Sequence, residues 1–222
     1  MKAIVVLSGG MDSATLAYYV KNKFVCDLIA ISFDYGQRHK RELESAAKIA
    51  KRLGADHRIV DISAFGKMLK GSALTDDIAV PHGHYEAENM RSTVVPNRNT
   101  IMLSMAWGIG CAEGVDIVAT GVHAGDHYIY PDCRPEYITA LEAALRVGTE
   151  GHRKEKMKIY TPFIDSTKTD IARIGRSVHV PFEDTWTCYE GGEKHCGLCG
   201  ACQERKEAFR DSGGDDPTEY AA

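Results

Sequence analysis

Short apolar runs alternate with longer amphipathic segments along most of the chain, and this order constrains the fold more than any other feature. The apolar runs predict strands at 3–7, 27–33, 57–62, 115–120 and 157–161. Helical spacing of apolar residues predicts helices at 13–22, 38–53, 99–113, 134–147 and 167–178. Such alternation is typical of a parallel sheet covered on both faces, so we expect an α/β, Rossmann-like architecture.

Ligands of open parallel sheets bind at the carboxyl ends of the strands. That edge would bring together the segments 8–13, 32–35 and 121–134. The stretch 71–98 interrupts the alternation with little periodicity, and connections of that length are usually functional. We expect it to act as a substrate or interface loop.

Charge and hydropathy exclude several classes of protein. The 222 residues include 27 Lys and Arg against 31 Asp and Glu, so the net charge is −4, whereas nucleic-acid binding favours a basic face. The apolar run at 3–7 is too short for an export signal. The charge-free stretch 99–112 falls short of the roughly 20 apolar residues of a membrane span. We expect a cytoplasmic protein with no nucleic-acid or membrane partner.

Four of the seven cysteines crowd together with the spacing C-x7-C-x2-C-x2-C. These are Cys188, Cys196, Cys199 and Cys202. Four thiolates in a short knuckle suit one tetrahedral Zn²⁺ per chain in a structural site. An iron–sulfur cluster is the alternative, because C-x2-C-x2-C also occurs in ferredoxins. The hydrophilic loop and the lack of a proline after the last cysteine favour zinc.

The chain therefore divides into three predicted parts. Residues 1–185 form the α/β domain, and residues 186–210 form the cysteine-rich region packed on it. Residues 211–222 are small and polar, and we expect a flexible tail there.

The segment Ser8-Gly9-Gly10-Met11-Asp12-Ser13 follows the first strand and opens the first helix. Glycines allow close approach of the backbone to an anion, and free N–H groups at a helix start bind phosphate oxygens. The alternative is a plain glycine turn with a serine cap. The mononucleotide pattern G-x-x-x-x-G-K-[ST] does not occur in the chain.

The S-G-G-x-D-S loop resembles the pyrophosphate loop of ATP pyrophosphatases. Further motifs narrow the resemblance to the 7-cyano-7-deazaguanine synthase family of queuosine biosynthesis, over about 3–205. They are S-F-D-Y-G-Q-R-H at 32–39, V-P-N-R-N at 95–99, G-V at 121–122, Y-P-D-C-R at 130–134 and T-C-Y at 187–189. Asn97 stands where we expect glycine, and Asn tolerates a positive φ next best.

The resemblance implies an adenine nucleotide alpha hydrolase-like fold and a homodimer. It also implies ATP-dependent conversion of 7-carboxy-7-deazaguanine and ammonia to the nitrile, through adenylated carboxylate and amide intermediates. An anionic substrate meeting a triphosphate requires converging cations, since two charges 4 Å apart repel by about 4 kcal/mol at an effective dielectric of 20. We expect Mg²⁺ with ATP, and lysine or arginine side chains beside it.

Specific residues follow from the resemblance and from the loop. For ATP they are Leu7, Ser8, Gly9, Gly10, Met11, Asp12, Ser13, Ala14, Thr15, Ser32, Phe33 and Arg98. For catalysis they are Ser8, Asp12, Ser13 and Lys168. For the deazaguanine they are Asp126, Tyr130, Asp132 and Arg134, with Asp132 accepting from the ring N–H and the exocyclic amine.

Several alternatives stay open at this point. One alternative concerns Cys133, which could be a sulfur carrier or nucleophile as in tRNA-thiolation enzymes. The charge of Arg134 next to it could lower the pKa of the thiol. Lys168 could be a solvated surface lysine with no role in catalysis. The protein could also catalyse another adenylating reaction, as an amide-forming 7-deazaguanine ligase or a tRNA-thiolation enzyme does. A zinc-knuckle binding module explains the cysteines but not the 8–13 loop.

Overall fold

The computed structural model describes residues 1–76, 78–84 and 88–222, and within them it has a five-stranded sheet. The strand order is β3-β2-β1-β4-β5, and neighbouring strands are parallel. The strands are β1 (Lys2–Val6), β2 (Asp27–Asp34), β3 (Asp56–Asp61), β4 (Ile117–Ala119) and β5 (Lys158–Tyr160). The predicted α/β, Rossmann-like sheet is confirmed.

The α-helices of the described residues cover both faces of this sheet. They are α1 (Met11–Phe24), α2 (Arg41–Leu53), α3 (Ser63–Gly66), α4 (Arg98–Glu113), α5 (Pro135–Gly148), α6 (Lys168–Ser177) and α7 (Gly200–Ser212). Helices α1, α2, α6 and α7 share a core with Ala3 and Val5 of β1, whereas α4 and α5 pack on the opposite face with Ile4. Successive strand residues point to opposite faces, and both faces are covered, so β1 is apolar from Ala3 to Val6. None of the helices in the described residues is both long and apolar enough to cross a membrane.

Helix starts differ from the sequence prediction at two positions beside the sheet edge. Helix α1 begins at Met11, so Asp12 and Ser13 lie in its first turn. Helix α2 begins at Arg41, and residues 38–40 approach it without helical structure. Asn97, directly before α4, has a φ of 58°, which agrees with the positive φ expected at this position.

The C-terminal part differs most from the sequence prediction, because helix α7 was not predicted and runs past residue 210. The fully buried side chain of Arg205 donates from Nε to Asp216 Oδ1 at 3.1 Å. Tyr220 also donates to Asp216, at 2.5 Å. A buried guanidinium requires a carboxylate partner. Through this ion pair, Asp216 connects residues 211–222, where we expected a flexible tail, to α7.

The segment 71–98, apart from its residues outside the described ranges, lies between the cavity and the cysteine-rich region. Leu74 lines the cavity described below. His82 forms an isolated antiparallel bridge with Cys199. These contacts place the segment next to both features, while its role as a substrate or interface loop stays a prediction.

Candidate active site and cysteine cluster

A cavity of about 240 Å³ lies at the carboxyl edge of the sheet, among the segments that follow β1, β2 and β4. From β1 the next two strands, β2 and β3, are added on one side of the sheet, whereas β4 and β5 are added on the other side. Loops that leave β1 and β4 therefore diverge and open a crevice at the switch point of the sheet. The cavity is where an α/β fold of this topology binds its ligand.

The loop 8–13 is folded around its own serine hydroxyls. Ser13 Oγ accepts from the backbone N–H groups of Ser8 and Gly9, each at 3.2 Å, and lies 3.0 Å from Ser8 Oγ. Gly9 has a φ of +93°, and a Cβ there would clash with the Glu42 carbonyl oxygen. The hydroxyl thus occupies N–H donors that a phosphate oxygen can take over, as expected of an anion-binding loop.

Lys168 lies between two carboxylates where the loop 8–13 lines the cavity, which would be the phosphate end if the loop binds an anion. Its Nζ is 2.8 Å from Asp12 Oδ2 and 3.0 Å from Glu204 Oε2. Burial lowers the pKa of Lys168, but these carboxylates outweigh burial and raise that pKa above its ordinary value. Burial raises the pKa of Asp12, whereas Lys168 and His123 lower it below its ordinary value. Lys168 and Asp12 therefore stay charged, and Lys168 is not a solvated surface lysine.

His123 and Asp126 complete this end of the cavity. His123 Nε2 lies 3.4 Å from Asp126 Oδ2 and 3.8 Å from Asp12 Oδ2. Asp12 Oδ1 is buried and accepts no hydrogen bond from the described residues. A buried carboxylate oxygen without a donor is costly. The arrangement suits a cation that arrives together with an anionic ligand.

Arg98 also lines the cavity, among aromatic side chains. Burial lowers the pKa of the Arg98 guanidinium, but nearby Tyr35, Tyr130 and Tyr189 outweigh burial and raise it. Burial raises the pKa of Tyr35 to about 12. Neutral phenols around a fixed positive charge make a pocket for a planar ligand that carries an anionic group.

Glu42 of α2 also lines the cavity, and its backbone lies against Gly9 of the loop 8–13. Burial raises the pKa of its carboxyl from 4.5 to about 7, although Arg98 opposes the change. Between those pH values the folded protein holds a proton that the unfolded chain has released. Stability therefore falls as pH rises through this window.

We expect Glu42→Gln to stabilise the ligand-free protein at pH 8 by about 2 kcal/mol, since the charged carboxylate is no longer buried. The gain should vanish below about pH 4, where Glu42 is protonated in both the folded and the unfolded chain. Urea unfolding of both proteins across this pH range measures the difference. Glu44→Gln, at an exposed position of the same helix, is the matched control. A gain for Glu42→Gln that does not change with pH would contradict the assignment.

Most of the predicted site residues line the cavity. These are Leu7, Ser8, Gly10, Met11, Asp12, Ser13, Phe33, Arg98, Asp126, Tyr130 and Lys168. Six do not: Gly9, Ala14, Thr15, Ser32, Asp132 and Arg134. Ser32 is fully buried and donates to the Leu7 carbonyl oxygen at 2.6 Å, and Ala14 and Thr15 are buried within α1.

Asp132 and Arg134 have protein partners in this structure, and their contacts with substrate stay a prediction. Asp132 Oδ2 accepts from the backbone N–H of Asn99 at 3.1 Å, in the first turn of α4. Arg134 donates from Nε to the His127 carbonyl oxygen at 2.8 Å. Both side chains stabilise backbone segments next to the cavity. The Asp132 carboxylate is also favoured by its position at a helix start.

Cys133 lines the cavity, but its surroundings do not activate it. Burial and the carboxylates of Asp126 and Asp132 raise the pKa of the thiol well above its ordinary value, despite Arg98. A reactive cysteine needs a lowered pKa. This argues against the open alternative of a nucleophilic or sulfur-carrying Cys133.

The four predicted metal-ligating cysteines converge. The Sγ atoms of Cys188, Cys196, Cys199 and Cys202 all lie within 4.8 Å of one another, and none of these cysteines is in a disulfide. Zn–S bonds of about 2.3 Å place tetrahedral sulfurs about 3.8 Å apart, and Cys196 Sγ lies 3.9 Å from Cys202 Sγ. The backbone N–H of Cys196 donates to Cys188 Sγ at 3.2 Å, as outer partners of metal ligands do. The cluster fits one tetrahedral metal ion.

Sequence reasoning missed Glu42 and Glu204, two acidic residues that line the cavity. Each lies outside the recognised motifs. Glu204 had a detectable signal, because Ala201, Arg205 and Ala208 repeat at helical spacing around it.

Comparison with known proteins gives consistent results. The family model described as "Queuosine biosynthesis protein QueC" matches residues 2–213. The chain is 52% identical over 221 residues to the 7-cyano-7-deazaguanine synthase of Rhizobium rhizogenes, covering 99% of this chain and 92% of that protein. It is also 52% identical over 222 residues to the protein of that name from Ruegeria pomeroyi, covering 100% and 95%.

Among solved structures, the chain is similar to the U34-tRNA thiolase NcsA from Methanococcus maripaludis with its 4Fe-4S cluster. The TM-score is 0.53 at 15% identity, over 100% of this chain and 74% of that chain. This likeness concerns the fold.

Proposed function

The chain belongs to the QueC family of queuosine biosynthesis proteins, and we propose that it converts 7-carboxy-7-deazaguanine and ammonia to 7-cyano-7-deazaguanine at the expense of ATP. It is thus an enzyme that forms a carbon–nitrogen bond. The observation that carries the proposal is the identity of about half of all residues, over nearly the whole chain, with relatives named for this product.

The proposed chemistry has two activations. A carboxylate oxygen of the substrate attacks the α-phosphorus of ATP, and pyrophosphate leaves. Ammonia then attacks the carbonyl carbon, AMP leaves with the carboxylate oxygen, and the surplus proton passes to solvent. The oxygen of the resulting amide attacks a second ATP, again releasing pyrophosphate. Loss of AMP and of two protons from nitrogen gives the nitrile.

The phosphate end of the cavity supports this use of ATP. Backbone N–H groups of the loop 8–13 would hold the leaving pyrophosphate, with Ser8 and Ser13 as additional donors. Lys168 would neutralise phosphate charge. Asp12, with its unpartnered Oδ1, would hold Mg²⁺, a cation that prefers carboxylate and phosphate oxygens and supplies charge neutralisation.

For the cysteine cluster we propose one Zn²⁺ per chain. In a four-iron cluster each pair of thiolates is separated by an edge of the cluster, so the sulfurs lie farther apart than around a single ion. The mutual distances within 4.8 Å support a single ion. Reduced thiolates support a cytoplasmic location. A homodimer remains an expectation from the family, and the proposed reaction requires no nucleic acid.

The test is mass spectrometry of purified protein incubated with 7-carboxy-7-deazaguanine, MgATP and ammonium. We expect the nitrile, AMP and pyrophosphate, with at least about 100-fold less product from Ser13→Ala. Ser177→Ala, in the last turn of α6 and exposed, is the matched control. Accumulation of the amide alone would indicate an amide-forming ligase. Consumption of no substrate would contradict the proposal and favour the binding module.

A further inference from the structure

Glu42 is a carboxylate in the cavity wall that the proposed chemistry leaves without a role. Glu42 lines the cavity, and burial and the charge of Arg98 are the influences on its carboxyl, with no hydrogen bond or ion pair to a described residue. Other acidic groups of the cavity do have partners. Asp12 and Glu204 hold Lys168, and Asp126 lies beside His123.

Glu42 and Arg98 face the cavity together without meeting. They interact electrostatically, but they do not form an ion pair, whose nitrogen and oxygen would lie within 4.0 Å. Opposite charges in a shared cavity that are not in contact leave room for a ligand group between them. Such a ligand needs hydrogen-bond donors toward Glu42 and an anionic group toward Arg98.

The walls around these two charges suit a flat ring. Tyr35, Tyr130 and Met102 line the cavity beside them, and aromatic and thioether side chains pack well on planar faces. Tyr130 is held by its hydroxyl, which lies 2.7 Å from Thr93 Oγ1. This contact orients the phenol ring of Tyr130 before a ligand binds.

A guanine-type ring with a carboxylate has both required ends. Its ring N–H and exocyclic 2-amino group are adjacent donors, and an ionised carboxylate accepts two such donors side by side. We propose that Glu42 recognises this donor edge of the 7-deazaguanine ring and so determines specificity for it. The inference rests on the proposed function and replaces the assignment of Asp132, whose carboxylate binds the backbone of α4.

The test pairs one change in the protein with one change in the substrate. Wild type and Glu42→Gln are each assayed with 7-carboxy-7-deazaguanine and with its analogue that lacks the 2-amino group. For wild type we expect kcat/KM to be about 10- to 100-fold lower on the analogue than on the true substrate, because the two-point contact with Glu42 is disrupted. Glu42→Gln should lose about the same on the true substrate, mainly through KM, and should discriminate the two ligands by less than about 3-fold.

Glu44→Gln removes the same charge from an exposed position of the same helix and should behave as wild type. The KM for ATP should stay within about 3-fold in both variants, because the proposed contact of the Glu42 carboxylate is to the deazaguanine ring. Equal turnover of both ligands by wild type would overturn the inference without reference to any variant. Undiminished discrimination by Glu42→Gln, or an equal rise in KM for ATP, would also overturn it. A wild type that consumes neither ligand would overturn the proposed function itself.

Discussion

Lys168→Met is expected to lower kcat by about 10²- to 10³-fold, the loss seen when a group that stabilises developing charge is removed. The ammonium is 2.8 Å from Asp12 and 3.0 Å from Glu204. Without it, these two carboxylates face an incoming triphosphate with no lysine charge between them. The rate of AMP formation under saturating substrates measures the effect.

The matched control is Lys48→Met, which removes a lysine from an exposed position of α2. It should retain wild-type activity. Circular dichroism separates loss of activity from loss of fold, because a broken buried ion pair can itself cost about 3 kcal/mol. A folded Lys168→Met protein with more than a fifth of wild-type kcat would contradict the role assigned to this lysine.

Loss of the metal ion should have the second large effect. In Cys202→Ser the bound metal should fall from one ion per chain to less than about 0.1, because three thiolates hold zinc far more weakly than four. Helix α7 begins directly after Cys199 and carries Cys202. We therefore expect a loss of about 5 kcal/mol in stability, or about 10–20 °C in Tm.

The cavity should be damaged along with the knuckle, since Trp186, Tyr189 and Glu204 all line it. Metal analysis and thermal unfolding, with and without a chelator, provide the readout. Cys111→Ser is the control, because Cys111 lies on α4 outside the cluster. Full metal content and an unchanged Tm in Cys202→Ser would contradict the assignment. Iron in place of zinc in the wild type would correct the identity of the ion.

The parallel sheet and the phosphate loop were predictable because each depends on local sequence. An apolar run such as 3–7 identifies a buried strand, and the glycines and serines after it identify an anion-binding turn. Strand–helix alternation then fixes which edge of the sheet carries the site. Close cysteine spacing gave the metal cluster for the same reason.

The charged interior of the site was not predictable in this way. Glu42 and Glu204 come from two separate segments and look like ordinary polar residues in sequence. Only the tertiary fold brings them to one cavity. Asp132 shows the same limit, since its position in a recognised motif gave no sign that its carboxylate accepts from the backbone at the start of α4.

The tail shows a similar limit. Its small polar residues are typical of a disordered end, yet Asp216 neutralises the fully buried Arg205. A buried arginine cannot be recognised from the sequence, because arginine is usually exposed. The partner that it requires is therefore not recognisable either.

The central claim is that the substrate carboxylate is adenylated, and an oxygen label tests it most directly. 7-Carboxy-7-deazaguanine carrying ¹⁸O in both carboxylate oxygens is turned over with MgATP and ammonium, and the nucleotide products are weighed by mass spectrometry. We expect each carboxylate oxygen to leave in a separate AMP, so that the AMP is labelled once. Unlabelled AMP, or label in inorganic phosphate together with ADP, would contradict attack of the carboxylate on the α-phosphorus.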